Sequence, residues 1–147
     1  MTEIRALTIG DLSQVHTLTD ASVREGFRFV QRFLDDMPNM ELNSPTQYFL
    51  GVFDDNQLRA IGGVTPDPYT DDPHVGRIRR VYVLPGFRRH GYASHLLAAL
   101  EARAHSIYST LRLQTDTDAA ASFYESRGYV RSTEPDVTHV RVWPSGQ

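Results

Sequence analysis

The stretch RVYVLPGFRRHGYASHLLAALE, residues 80–101, joins an apolar run to an amphipathic segment through a short basic turn. Pro85 closes the apolar run, because a proline cannot donate to a β-ladder, and the run is therefore predicted to be a strand. After the turn, Leu96, Leu97 and Leu100 recur at helical spacing, as on the buried face of a helix. A strand that leads directly into a helix is the building unit of a mixed α/β sheet.

The flanking sequence extends this unit in both directions. Helical spacing predicts helices in DLSQVHTLTDAS, with Asp11 as the N-cap, in REGFRFVQRFLDDM, and in DAAASFYESR, which Gly128 ends. Strand patterns occupy EIRAL, the two runs beside the turn at residues 54–56, TLRLQT, GYVRST and THVRVW. The order β-α-α-β-β-β-α-β-α-β-β predicts an α/β (α+β) fold with one mixed central sheet of about seven strands and helices on both faces. We expect residues 1–147 to form a single domain.

Composition excludes several classes of function. The chain has 15 basic residues, all arginine, against 18 acidic ones, and its net charge of −3 argues against a nucleic-acid binder that relies on phosphate contacts. The absence of cysteine excludes disulfides, thiolate metal sites and a cysteine nucleophile. The six histidines show no metal-binding spacing, so we expect no metal. No apolar run is long enough to cross a membrane, and we expect a soluble cytoplasmic protein without a membrane partner.

The basic turn before the third predicted helix has two readings. The first turn of a helix leaves backbone amides without partners and carries partial positive charge, and both features suit a phosphate group. Gly91 removes a Cβ where a phosphate would approach, while Arg88, Arg89 and His90 add attraction for an anion. The alternative reading is a solvated helix entry with exposed arginines. Neither the P-loop nor the dinucleotide-binding fingerprint occurs in the sequence.

Two motifs carry a resemblance to a known family. Arg88-x-x-Gly91-x-Ala93, between the strand VYVLP and a helix rich in alanine and leucine, resembles the (Q/R)-x-x-G-x-(G/A) motif of the GNAT N-acetyltransferases. LRLQTDTDAAASFYESRGYV resembles the last conserved strand–helix–strand of that family, which ends in Tyr-x-x-x-Gly-(Phe/Tyr), here Tyr124 to Tyr129. The order of helices and strands also resembles that of the family along essentially the whole chain.

The resemblance implies that the chain binds acetyl-CoA as its cofactor. It implies that the backbone of residues 81–83 pairs with the pantetheine arm and that the amides of residues 89–94 hold the pyrophosphate. A strand that pairs with a ligand needs its neighbouring strand to splay away from it. Thr117 stands seven residues before Tyr124, where many relatives have asparagine, and its hydroxyl can substitute for that amide. The residues expected at the cofactor are Val81, Tyr82, Val83, Arg88, Arg89, His90, Gly91, Tyr92, Ala93, Ser94 and Thr117.

Tyr124 is the residue to which the resemblance assigns the role of general acid. A phenol with a pKa of about 10 can protonate a departing thiolate and still be neutral at ordinary pH. Without a cysteine there is no acyl-cysteine route, so direct attack by the amine within a ternary complex is the simplest remaining path.

The general base stays unassigned. Many relatives carry a glutamate near the fourth strand, whereas residues 77–84 contain no carboxylate. A water chain to solvent, or an acceptor amine of low pKa, would also suffice. The candidate side chains are Glu25, Asp72, His74 and His139.

Two features give different indications about the acceptor. Arg79 and Arg80 lie within the predicted fourth strand, and a buried guanidinium needs a partner. Either one of them binds a carboxylate of the acceptor, or they form internal salt bridges, for example with Glu25; these three residues are the candidate acceptor-binding residues. The loop at residues 66–74, with three aspartates beside Tyr69, instead suits a cationic amine, unless it is only a solvated loop.

The predicted function is transfer of an acetyl group from acetyl-CoA to the primary amine of a small molecule. The alternatives are a peptide or protein N-acetyltransferase and a catalytically weak acyl-CoA-binding sensor domain. The missing carboxylate on the fourth strand favours the sensor, while Tyr124 and the intact turn at Gly91 favour the enzyme. The oligomeric state, including a homodimer, stays open.

Overall fold

The computed structural model describes residues 1–143. Their elements are β1 (Thr2–Ala6), α1 (Leu12–Arg24), α2 (Phe29–Asp36), β2 (Tyr48–Asp54), β3 (Gln57–Pro66), β4 (Val75–Val83), α3 (Tyr92–Ala104), β5 (Thr110–Leu113), α4 (Asp118–Ser126), β6 (Val130–Arg131) and β7 (His139–Val142). The predicted order of elements and the α/β (α+β) fold class are confirmed. None of the helices in this part of the chain is long and apolar enough to cross a membrane.

The strands form one mixed sheet in the order β1-β2-β3-β4-β5-β7-β6. β4 and β5 run parallel, whereas the other neighbouring strands run antiparallel. The turn between β2 and β3 consists of Asp55 and Asn56, whose φ angles of 50° and 66° are the left-handed values that a tight two-residue hairpin requires. Asp and Asn tolerate this conformation better than most residues, which explains why the sequence signals the turn.

Helices cover both faces of the sheet, as predicted. α1 and α2 bury Val15 and Phe33 on one face, where they pack in the same cluster as Phe49 of β2. The central strand β4 contributes to both cores, since Ile78 lies in the core under α3 and Tyr82 in the core under α1 and α2. The side chains of α3 and α4 that belong to the core on the second face are those of Tyr92, Leu96, Leu97, Leu100, Ala104 and Tyr124. β4 is therefore fixed from both sides, which gives a rigid base for any site built on it.

The start of the second helix differs from the prediction. The pattern REGFRFVQRFLDDM predicted a helix from Arg24, but α1 continues to that residue and α2 begins only at Phe29. Gly26, at φ 88°, follows α1 in the left-handed conformation that commonly ends a helix. Asp11 precedes α1 as predicted, yet its carboxylate accepts hydrogen bonds from Arg5 and does not cap that helix.

Candidate active site

The turn before α3 presents a row of free backbone amides. Gly91 is the N-cap of α3 at φ 80°, and Arg89 lies at φ 67°, so two left-handed residues bend the chain just before the helix. Within residues 1–143, no hydrogen bond uses the amides of residues 89–94 as donors. Successive amides beside left-handed residues form a concave surface that suits an anion, and the helix dipole adds to this effect. The turn is therefore shaped to receive an anionic group.

Aromatic packing holds this turn in place. Tyr92 is buried, and its hydroxyl donates to the carboxylate of Asp54 at the end of β2 over 3.0 Å. The Tyr92 ring stacks with those of Phe87 and His90, at centroid distances of 6.4 and 5.8 Å. The guanidinium of Arg59 lies 4.0 Å from the centroid of the Phe87 ring. The side chains of this turn therefore fix its shape and leave its amides available.

Arg88 and Glu25 connect the turn to the end of α1. Arg88 donates two hydrogen bonds of 2.7 Å to the Glu25 carboxylate, and the Tyr82 hydroxyl donates a third of 2.5 Å. The hydrogen bonds from Arg88 hold the pKa of the Glu25 carboxyl below its ordinary value; partial burial opposes this effect and Tyr82 assists it. Arg88 also donates from Nε to the carbonyl of Val83 over 3.0 Å. The Arg88 side chain thus serves the architecture of the turn, and the amides are left as the groups that face a ligand.

The edge of β4 opens beside this turn. Among the described residues, β4 pairs with β5 only at residues 75–77, so the later part of β4 has no neighbour on that side. The splay that ligand pairing requires is therefore present. Arg80, at φ 61°, forms a bulge where the β3–β4 register shifts near Gly62, and a bulge of this kind bends the strand. Beyond it, the edge at residues 81–83 is open, apart from the Val83 carbonyl that is already bonded.

Arg79 and Arg80 line a cleft of about 380 Å³ on the α2 side of the sheet. Arg80 donates to a backbone carbonyl at the start of α2 over 3.3 Å and lies 4.0 Å from the carboxylate of Asp36. The backbone of Arg79 pairs with Gly63 of β3, but its guanidinium makes no hydrogen bond or ion pair with any residue that the structure describes. The salt bridge with Glu25, which was one of the alternatives for these arginines, does not form, because Glu25 pairs with Arg88.

Tyr124 lies on α4, in the core on the α3 side of the sheet, and is buried. Its ring contacts those of Phe123 and Tyr129, at centroid distances of 5.2 and 5.5 Å. Burial, and then the negative charge of Glu101, raises the pKa of the Tyr124 phenol above its ordinary value, so the hydroxyl is held in its protonated form. The oxygen has no hydrogen-bond partner within residues 1–143, although it is not fully shielded from solvent.

The other buried tyrosines behave differently. A buried tyrosine hydroxyl usually finds a partner inside the protein. Each of the others in this part of the chain does so: Tyr48 with Leu100, Tyr82 with Glu25, Tyr92 with Asp54, Tyr108 with Thr46 and Tyr129 with Glu101. The Tyr124 hydroxyl is therefore available to a ligand in a way that the structural tyrosines are not.

Two polar residues flank α4: Thr117, which the sequence predicts at the cofactor, and Arg127, which it does not. Thr117 caps the helix, since its hydroxyl oxygen accepts a hydrogen bond of 3.2 Å from the amide of Ala120. Arg127, just after the end of α4, donates to the hydroxyl of Ser94 in the first turn of α3. This contact places a guanidinium beside the free amides of the turn. No local spacing could reveal it, because it joins residues 33 positions apart.

The four candidate bases are all engaged with other residues. Glu25 is bonded as described above, and Asp72 and His74 pair with each other over 3.2 Å in the exposed loop before β4. His139 is buried, and its Nε2 lies 2.8 Å from the carboxylate of Glu125. The general base therefore stays unassigned. Within residues 1–143, no group of three His, Asp or Glu side chains is arranged to hold a metal ion.

The residues present fit acetyl-CoA. The open edge of β4 can pair with an amide-containing arm, and the turn that follows offers its amides to a pyrophosphate. Gly91 keeps that approach open, because a Cβ placed there would project into otherwise empty space with only His95 near, at 3.8 Å. The Tyr124 hydroxyl supplies a proton donor on the α3 side, while the cleft at Arg79 lies on the α2 side.

Comparisons with known proteins agree with this geometry. A family model described as the acetyltransferase (GNAT) family matches residues 14–129. No curated protein matches the chain.

Solved structures match it over nearly their whole lengths. A proposed acetyltransferase from Exiguobacterium sp. 255-15 is 27% identical, with a TM-score of 0.87 over 97% of this chain and 93% of that one. The PaiA N-acetyltransferase from Thermoplasma acidophilum, solved with coenzyme A, is 18% identical, with a TM-score of 0.76 over 97% and 99% of the two chains. An acetyltransferase of the GNAT family from Staphylococcus aureus Mu50 is 14% identical, with a TM-score of 0.79 over 98% and 100%.

Proposed function

The chain belongs to the GNAT acetyltransferase family, and we propose that it transfers an acetyl group from acetyl-CoA to the primary amine of a small molecule. The family uses acetyl-CoA, and a structural neighbour was solved with coenzyme A. The predicted cofactor, acetyl-CoA, is therefore confirmed by membership of the family. Transfer to a nitrogen, the small size of the acceptor and direct attack within a ternary complex are parts of the proposal.

The observation that carries catalysis is the unpartnered hydroxyl of Tyr124. The buried tyrosines around it donate to protein acceptors, whereas this hydroxyl is protonated and has no acceptor within the described residues. Because this oxygen is not fully shielded from solvent, a bound ligand can replace water at it and accept its hydrogen bond. When acetyl-CoA is bound, it supplies the acetyl thioester. In the proposal Tyr124 then gives its proton to the sulfur that leaves.

The turn at Gly91 supports the binding half of the proposal. The backbone amides of the turn and of the first residues of α3 would donate hydrogen bonds to the pyrophosphate. The open edge at residues 81–83 would pair with the pantetheine arm, as a neighbouring strand would. Arg127 would add a positive charge from α4. Thr117 keeps its hydroxyl at the start of the same helix.

The test combines binding and turnover. Acetyl-CoA is titrated into the protein by calorimetry, and thiol release from acetyl-CoA is then measured across a library of small amines and peptides. We expect binding and turnover with at least one small amine. A protein that binds no acetyl-CoA overturns the proposal, and a preference for peptides would replace the small acceptor with a peptide.

Binding without turnover would favour a different function, namely an acyl-CoA sensor. One specific observation favours that candidate, which is the engagement of all four candidate bases with other residues. A neutral amine could still react without a base from the protein, because water can accept the proton. Turnover of any amine therefore decides between the two functions.

A further inference from the structure

The cleft at Arg79 combines positive charge with apolar walls. It lies between the bulge of β4 and the end of α2, and Met40, Phe49 and Pro68 are among its apolar lining residues. Its volume of about 380 Å³ falls in the range of sites that hold small molecules. The charged side chains in its lining are those of Arg79, Arg80 and Asp36.

The positive charge in this cleft is not balanced. Arg80 is only 15% exposed and has one carboxylate nearby, that of Asp36, at 4.0 Å. Arg79, which is half-buried, has no partner within residues 1–143. Burial, and then repulsion from Arg79, lowers the pKa of Arg80, although an arginine stays protonated nonetheless. Two guanidinium groups in one cleft, with a single carboxylate at 4.0 Å from one of them, are suited to a further anion.

The acidic loop before β4 does not offset this charge. Asp67 is buried, and its carboxylate lies 3.0 Å from Arg112 and 3.9 Å from Arg77. Asp72 is paired with His74. Two of the three aspartates that would suit a cationic acceptor are therefore engaged inside the protein. The structure therefore favours the two arginines over the acidic loop as the indication of the acceptor class.

The position of the cleft relates it to the acetyl group. The free amides follow β4 in the chain, so a cofactor whose pyrophosphate lies there and whose arm pairs with residues 81–83 runs back along β4. Its reactive end would then come to the bulge at Arg80, where the cleft begins. Tyr124 lies on the opposite face of the sheet, so the amine and the proton donor would approach from different sides.

We propose that Arg79, with Arg80 beside it, binds a carboxylate of the acceptor, and that the acceptor is a free amino acid or a related small amino-carboxylate. This inference rests on the proposed function, since it names the acceptor class of that same site. A guanidinium recognises a carboxylate through two parallel hydrogen bonds, which also fixes the orientation of the molecule. A free amino acid carries an amine and a carboxylate close together, whereas the terminal amine of a peptide lies next to an amide.

The test compares amino acids with their amides. L-amino acids and the matching L-amino acid amides are used as acetyl acceptors, and both sets are titrated by calorimetry into the protein loaded with coenzyme A. We expect kcat/KM and affinity to favour at least one amino acid over its amide by roughly tenfold or more, as charge-assisted hydrogen bonds do. Equal kcat/KM and equal affinity for every amino acid and its amide overturn the inference, and so does the absence of binding of any amino acid.

Variants assign this preference to Arg79. Arg79→Gln should lower the ratio of kcat/KM for amino acids to kcat/KM for their amides by roughly tenfold or more, through KM more than kcat, because only the acids offer the carboxylate that the guanidinium would bind. Arg79→Lys should retain part of the preference, because it keeps the charge without the planar fork. Arg131→Gln removes an arginine on the edge strand β6, where it pairs with Glu125, and should change nothing. An unchanged ratio in Arg79→Gln overturns the inference.

The two proposals fail in different ways. Carboxylate-dependent binding that disappears in Arg79→Gln, without acetylation of any amine, upholds the acceptor site and contradicts the proposed function. Acetylation of amines at rates that do not depend on a carboxylate upholds the proposed function and overturns the carboxylate site at Arg79.

Discussion

The carboxylate of Glu25 accepts two hydrogen bonds of 2.7 Å from the guanidinium of Arg88, and these bonds join the end of α1 to the turn that precedes α3. Tyr82 donates to the same carboxylate from the middle of the sheet. The Arg88 side chain is 42% exposed, so the pair adds little to overall stability, and its importance lies in the position of the turn. The shape of the proposed cofactor site therefore depends on a residue in the N-terminal helix region.

Glu25→Gln should weaken acetyl-CoA binding more than it destabilises the fold. The amide cannot accept the charge-assisted pair from Arg88, so the turn becomes less restrained. We expect a severalfold higher dissociation constant for acetyl-CoA by calorimetry, on the order of threefold to tenfold, with a nearly unchanged midpoint of urea unfolding. Glu41→Gln, at an exposed position, is the matched control. Equal affinities for the two variants would contradict the positioning role.

The same carboxylate gives a prediction about pH. Arg88 holds the pKa of Glu25 below its ordinary value in the folded protein, so folding favours the ionised form. Its contribution to stability is present above the unfolded pKa, about 4.3, and is lost as the pH falls through the folded pKa. The difference in unfolding free energy between wild type and Glu25→Gln, which is small at neutral pH, should therefore shrink further below about pH 4. Urea unfolding from neutral to acid pH measures it, and a difference that grows on acidification would show that the sign is wrong.

Gly91→Ala should separate backbone strain from ligand binding. Gly91 lies at φ 80°, where an L-residue costs about 1 kcal/mol, but the new Cβ would meet nothing closer than His95 at 3.8 Å. Unfolding free energy should therefore fall by about 1 kcal/mol, while acetyl-CoA affinity should fall roughly tenfold or more, because the methyl group would lie where the pyrophosphate is proposed to approach.

Gly86→Ala is the control for that substitution. It lies in the same turn, has no left-handed φ, and its new Cβ would have nothing within 4 Å. Stability and affinity should both match wild type. If Gly91→Ala binds acetyl-CoA as tightly as Gly86→Ala, the pyrophosphate does not lie against this turn.

The sequence predicts the parts of this protein that depend on local chemistry. The hairpin at Asp55 and Asn56 and the end of α4 at Gly128 follow from what those residues do to their own backbone. The order of helices and strands follows from hydrophobic spacing. The exception is the start of α2, because Gly26 divides an apolar pattern that continues across it.

The parts that depend on contacts distant in sequence could not be predicted. Arg88 was assigned to the cofactor from its motif, but its partner Glu25 lies 63 residues away. Arg127 was missed for the same reason. The opening between β4 and β5 also has no local signature, because it arises where two strands of different lengths diverge.

Arg127→Gln should weaken acetyl-CoA binding in a manner that depends on salt. The guanidinium bonds Ser94 beside the free amides, so it adds positive charge where phosphate groups are proposed to lie. We expect a dissociation constant roughly threefold to tenfold higher at low salt, and a smaller difference at high salt because exposed charges are screened. Arg131→Gln, which removes an arginine paired with Glu125, should have no effect. If the dissociation constant for acetyl-CoA depends on salt in the same way in both variants, Arg127 does not contribute to the cofactor site.

Tyr124→Phe should lower kcat and leave binding and stability intact. The hydroxyl has no acceptor within the described residues, so its removal breaks no internal hydrogen bond, and the unfolding midpoint should be unchanged or slightly higher. A general acid contributes roughly 10²–10⁴ in rate, so kcat for acetyl transfer should fall within that range while calorimetry gives the wild-type affinity for acetyl-CoA.

Tyr108→Phe is the structural counterpart of that variant. Its hydroxyl donates to the carbonyl of Thr46 over 2.7 Å, so the change should cost about 1 kcal/mol of stability and leave kcat unchanged.

The pKa of Tyr124 is raised by burial, and an acid with a raised pKa keeps its proton to higher pH, so wild-type kcat should show no loss from deprotonation below about pH 10. A wild-type kcat in Tyr124→Phe would mean that another group, or water, protonates the leaving thiolate, and the buried hydroxyl would then have to be explained by binding alone.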